Sequence, residues 1–121
     1  MTEPRHEESG HVKAAGVAEV TDADFAGEVL GEAGRPVLVE FTADWCGPCR
    51  QLAPVLSELA REEAERLKIV QLDVDRSPQT AIAYQVLSAP TMIVFRDGEP
   101  VKQMVGARAK RKLLAELADV L

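Results

Sequence analysis

The chain has 121 residues, which fits one ordinary domain and leaves no room for a second. With 46% apolar residues it can bury a real core without staples, and its net charge of −6 argues against binding a phosphate backbone, which needs a basic surface. No apolar run approaches the roughly 18 residues of a membrane span, so neither nucleic acid nor membrane is an expected partner.

The opening sixteen residues, MTEPRHEESGHVKAAG, have no apolar period and carry acids and histidines where a secretory peptide needs an apolar stretch. They predict a disordered polar tail over 1–16, a folded domain over 17–121, and a cytoplasmic protein. Val17 to Val20 predicts a short edge strand. Thr21 or Asp22 is an expected N-cap for a helix carrying Phe25, Val29 and Leu30 and ended by Gly31 and Gly34.

Pro36 then introduces the nearly continuous apolar run Val37 to Ala43, the pattern of a central strand buried on both faces. After Trp45-Cys46-Gly47-Pro48-Cys49, apolar residues recur at Leu52, Val55, Leu56, Leu59 and Ala60, a helical spacing that continues to about Leu67. Pro54 lies inside that helix and should bend it, because it cannot donate to the ladder. Ile69 to Val74 reads as another buried strand. Ser77-Pro78 reads as a cap followed by proline at the first helical position, opening a short helix through about Tyr84.

Thr91 to Phe95 is the next strand, and Asp97-Gly98 between it and Val101 to Val105 is a strong hairpin signal. A last helix carries Leu113, Leu114, Leu117 and Leu121 on one stripe. The order β-α-β-α-β-α-β-β-α predicts an α/β fold of three layers, α/β/α, around a mixed sheet with an antiparallel end.

Cys46 and Cys49 are the only cysteines, three residues apart, so they cannot staple distant elements. Cys46 falls where a strand ends and a helix begins, and there its sulfur meets unpaired N–H groups and the positive end of the helix dipole. That placement favours a thiolate, the attacking species in thiol–disulfide exchange. Cys49 lies one turn on, at a distance that allows a disulfide. In this reading Cys46 attacks a substrate disulfide and Cys49 then attacks Cys46 to release reduced product. Pro48 limits how the loop flexes, and Gly47 lets a substrate backbone come close. Two alternatives are weaker. A closed zinc site needs four ligands, and the other candidates are only His6 and His11 in the tail. Two inert core cysteines fit poorly with a Gly-Pro turn between them.

WCGPC following VLVEFTAD resembles the thioredoxin family, and the resemblance extends from about Val17 to Leu121. It identifies Pro54 with the family's kink proline, and Ala89-Pro90-Thr91 with the loop whose proline is cis and faces the cysteines. It implies that Trp45, Gly47, Pro48, Ala89, Pro90 and Gly106 form a shallow, mostly apolar groove for a substrate segment. Gly106 has a second reading as a bulge between strand and helix, and Trp45 as a core residue. Glu40 interrupts the apolar strand, so a buried carboxyl there should be partly neutral with a raised pKa. Thioredoxins typically have Asp at this position, which by resemblance makes Glu40 a general base for Cys49 through water. The alternative is that its longer side chain reaches solvent. Thr42 stands where many of the family have a second Trp, and Gln71 where a Lys would lie near the buried acid, so Glu40 lacks a cation that would lower its pKa.

The resemblance implies a monomeric protein-disulfide reductase and electron carrier in cell redox homeostasis. Such a protein binds no cofactor, acts on client proteins with reducible disulfides, and is recharged by a thioredoxin reductase that draws on NADPH. A disulfide oxidant or isomerase is one rival, and a structural binding module on the same fold is another. The Gly47-Pro48 dipeptide favours the reductant over the first, and the paired cysteines argue against the second.

Overall fold

The computed structural model describes residues 13–121. Five strands, β1 (Ala18–Glu19), β2 (Val37–Thr42), β3 (Lys68–Asp73), β4 (Thr91–Arg96) and β5 (Glu99–Val105), alternate with helices in the expected order. The helical segments are α1 (Ala26–Leu30), α2 (Gly47–Glu62), α3 (Pro78–Ala83) and α4 (Lys110–Leu117). The sheet order is β1-β3-β2-β4-β5, with β1, β3 and β2 parallel and β2-β4 and β4-β5 antiparallel. Every residue of the central strand β2 is buried, which explains its nearly continuous apolar run.

Strand alternation sends the two halves of that run to opposite layers. Leu38 joins Leu52, Leu56 and Leu59 of α2 and Leu113 and Leu117 of α4 on one face. Val37, Val39 and Phe41 join Phe25, Val29 and Ala81 on the other. There Phe25, Tyr84 and Phe95 close a ring triangle with centroids 5.2 to 5.7 Å apart. Glu40 shares the Leu38 face, under α2.

Several element boundaries differ from the sequence reading. The helix at Leu67 ends earlier, at Glu62: the Leu67 N–H bonds back to the Glu63 carbonyl at 2.9 Å, and the side chain turns into the core ahead of β3. Leu67 continues the helical spacing only by coincidence, because the connection must bury an apolar anchor. Strand β3 begins and ends one residue sooner than expected. The first helix is a single wide turn, closed by the Gly31 N–H on the Ala26 carbonyl five residues back at 2.8 Å. The hairpin turn is as expected, with Asp97 and Gly98 both at positive φ, 52° and 83°.

Neither expected cap serves the helix that follows it, and α1 starts from Phe25 with no side-chain cap. Asp22 does not cap α1; its carboxylate accepts the N–H groups of Gln79 and Thr80 at 3.1 and 2.8 Å and the Thr80 hydroxyl at 2.7 Å, so it caps α3 from across the fold. Ser77 makes no side-chain cap to its own helix, because its hydroxyl accepts the Asp22 N–H at 3.1 Å. We expect Asp22→Ala to lower Tm by roughly 4–8 °C, the usual worth of a lost cap in a small domain, with disulfide reduction unaffected. A calorimetric scan showing an unchanged Tm would contradict this capping role.

Residues 1–12 of the expected tail lie outside the described residues. Of the remaining four, Ala14 is buried against the α2 layer.

Candidate active site

Cys46 is the N-cap of α2, with extended backbone, and its sulfur accepts the Cys49 N–H at 3.1 Å. Gly47 and Pro48 form the first helical turn, where proline's missing N–H is no loss. The two cysteines are joined by a disulfide with Cα atoms 5.3 Å apart. Both are buried beside Ala43, with Val74 and Ala89 packed against them. One helix N-terminus therefore brings together an N–H donor, the helix dipole and a second cysteine, the requirements for reversible thiol–disulfide exchange. His6 and His11 lie outside the described residues, and among the described residues no group of three or more His, Cys, Asp or Glu gathers around a metal-sized site.

Ala89-Pro90 is a cis peptide, and the Pro90 carbonyl accepts the N–H of Gly106 at 2.8 Å. Gly106 holds φ of 98°, a conformation suited to glycine, just past the end of β5. Trp45 is 66% exposed, which removes the core reading, and its indole N–H donates to Asp75 at 2.8 Å. A shallow groove runs beside the cysteines, lined by Trp45, Val74, Val86, Leu87, Ser88 and Ala89. Trp45 and Ala89 thus share one surface, while Gly47, Pro48, Pro90 and Gly106 lie outside this lining. Leu87, 94% exposed, was missed in the sequence, although an apolar residue just before Ala89-Pro90 and outside any helical period was an available signal. Asp75 gave no signal, because a loop carboxylate reads as solvated surface. For Asp75→Ala we expect a KM about fivefold higher for a protein disulfide with kcat retained, the worth of one hydrogen bond that orients Trp45. An unchanged KM would mean that the indole needs no such support.

Glu40 is fully buried, so the reading in which it reaches solvent is overturned. Burial pushes its carboxyl up to about 7, opposed in part by the Gln71 amide, which donates to Oε1 at 2.8 Å. Gln71 lies directly across the sheet, in register with Glu40 on β3. In place of a cation it offers a neutral dipole, which stabilises the charged carboxylate far less.

A sequence profile of the thioredoxin family matches residues 16–119. The chain belongs to the thioredoxin family. It is 56% identical over 102 residues to thioredoxin of Mycobacterium tuberculosis (strain ATCC 25618 / H37Rv), covering 84% of this chain and 87% of that protein. It is 50% identical over 103 residues to thioredoxin of Staphylococcus aureus (strain MW2), covering 85% of this chain and 95% of that one. It also resembles the bifunctional thioredoxin reductase/thioredoxin of Mycobacterium leprae, at 53% identity over 110 residues, which cover 90% of this chain and 24% of that protein. Family and cysteine pair together make the chain a thiol–disulfide oxidoreductase that reduces protein disulfides by the thioredoxin chemistry. Among the described residues no helix is long and apolar enough to cross a membrane.

Proposed function

We propose that Cys46 is the attacking sulfur, Cys49 the resolving one, and Glu40 the base that prepares Cys49. The observation that carries the assignment is Cys46 at the N-cap of α2 with its sulfur on the Cys49 N–H. The Cys46 thiolate attacks one sulfur of a client disulfide, forming a Cys46–client bond as the client's own S–S bond breaks. The departing client thiolate takes a proton. Cys49 then gives up its proton toward Glu40 and attacks Cys46, and the second client sulfur leaves with its electron pair. Two electrons pass to the client, and the Cys46–Cys49 disulfide remains. Trp45 and Ala89 form the wall against which the client segment lies, with Gly47, Pro48, Pro90 and Gly106 at its margins.

The disulfide must then be reduced again. A thioredoxin reductase drawing on NADPH is the proposed donor, a reading supported by the relative in which a thioredoxin reductase and a thioredoxin share one polypeptide. The setting is the cytoplasm, where reducing conditions keep such a dithiol charged, and the protein acts there as a monomeric electron carrier. The test is insulin-disulfide reduction by the reduced chain, with NADPH and a thioredoxin reductase as the donor system and a chemical dithiol in parallel. Turnover with both donors supports the full scheme, and turnover with the dithiol alone removes the reductase partner. Failure with both would overturn the reductase reading and move the weight to a binding or isomerase role.

A further inference from the structure

Three buried groups under α2 are wired in a fixed sense. The Ala14 N–H can only donate, so the Gln71 oxygen accepts it at 2.9 Å, and the NH2 of the same amide turns toward Glu40 Oε1 at 2.8 Å. Oε1 is thereby committed as an acceptor, and the proton of a neutral Glu40 belongs on Oε2. Among the described residues, the buried side-chain polar atoms without a hydrogen-bond partner are Glu40 Oε2 and Thr42 Oγ1. Both residues sit on β2 two positions apart, so their side chains leave the same face of the sheet about 6–7 Å apart along the strand. One water bridging two oxygens spans roughly 5–6 Å. Polar spots of this kind are where proteins hold buried water.

We propose that Glu40 Oε2 and Thr42 Oγ1 together hold one buried water, and that Thr42 is a positioning residue for the proton transfer that frees the Cys49 sulfur. Thr42 is suited to this because its hydroxyl both donates and accepts, fixing the water's orientation without itself gaining or losing charge. Cys49 packs from α2 beside Ala43, the residue next to Thr42. The Cys49 thiol passes its proton to the water as the water passes one to Oε2. The Cys49–Cys46 bond then forms as the Cys46–client bond breaks, and the client thiolate takes a proton from solvent. The inference rests on the general-base reading of Glu40.

The other groups on this face leave the water as the route. On β3, Asp73 stands opposite Thr42, but its Oδ1 accepts the N–H groups of Asp75 and Arg76 and its Oδ2 lies 3.9 Å from Arg76. On β4, Met92 lies opposite Glu40 and brings no charge. From α2, Cys49 is the buried titratable group, and Arg50, Glu58, Arg61 and Glu62 are exposed. From α4, Leu113 and Leu117 face the core. Lys13, at the start of the described segment, is exposed.

The test uses the full chain in single-turnover reduction of a peptide disulfide from pH 6 to 9.5, with first attack read separately in the Cys49→Ser background. Thr42→Val should slow resolution about tenfold at pH 7, well inside what a positioned proton transfer supplies, and leave first attack unchanged. The deficit should close as pH approaches the thiol's own ionisation range, and Thr42→Ser should restore the rate. Oxygen-17 relaxation dispersion should count one fewer long-lived water in Thr42→Val than in the unsubstituted chain. Resolution by Thr42→Val at the unsubstituted rate, or retention of that water, overturns the proposal. Glu40→Gln separates the layers: if it leaves resolution unchanged, the base reading falls and takes the water with it. If Glu40→Gln slows resolution while Thr42→Val does not, the water site alone is wrong.

Discussion

Cys46→Ser is expected to abolish insulin-disulfide reduction, and Cys49→Ser to stop after one event with the client held on Cys46. The asymmetry follows from the two positions. Cys46 is the N-cap of α2 and its sulfur accepts the Cys49 N–H, the placement from which the attacking role is proposed. A serine hydroxyl there is far too weak an acid to attack as an anion, and residual turnover should fall below about one part in 10³. Cys49, 0% exposed against 3% for Cys46, follows it by one helical turn. Without Cys49 the mixed disulfide has no internal attacker and persists until an external thiol arrives. Mass spectrometry of the quenched reaction checks both outcomes. A stable client adduct on Cys46→Ser, linked through Cys49, would reverse the roles.

The second large effect is on stability and its pH dependence. Glu40 has its folded pKa raised from 4.5 to about 7, chiefly by burial, with the Gln71 hydrogen bond opposing. The folded chain therefore holds a proton that the unfolded chain releases. Stability from the neutral acid is fully present below pH 4.5 and declines as pH rises toward about 7, beyond which it is lost. At 1.36 kcal/mol per pH unit that gap amounts to about 3 kcal/mol. Glu40→Gln carries no such titration. Urea unfolding of the oxidised forms should therefore show the variant gaining about 3 kcal/mol on the unsubstituted chain between pH 4.5 and 8. A stability difference independent of pH would mean that Glu40 is ionised throughout or that water reaches it freely.

The sequence and the structure agree most closely where a local rule has one answer. The run Val37 to Ala43 read as a strand buried on both faces and forms β2 over Val37–Thr42, and Asp97-Gly98 reverses the chain with both residues at positive φ. The WCGPC turn placed a cysteine at a helix N-terminus whatever the rest of the chain did. The polar interruption at Glu40 foretold a raised pKa, because an acid inside such a run has little water to ionise into.

Other features required the folded chain. Asp22 and Ser77 both read as caps for the helices that follow them, yet Asp22 caps α3 and Ser77 receives the Asp22 N–H. A cap is a short-range chemical preference, and which N–H groups lie within reach is set by how the β1–α1 connection packs on α3. The partners of Glu40 are equally nonlocal: Gln71 arrives through strand register and Ala14 through the segment ahead of β1. By itself the sequence determined the redox pair, the order of elements and the presence of a buried acid, because each depends on neighbours within a few residues. Only the tertiary structure decided which oxygen of that acid is held, which helix each cap serves and which loop residues line the groove, because those contacts join residues about 30 to 60 positions apart in the chain.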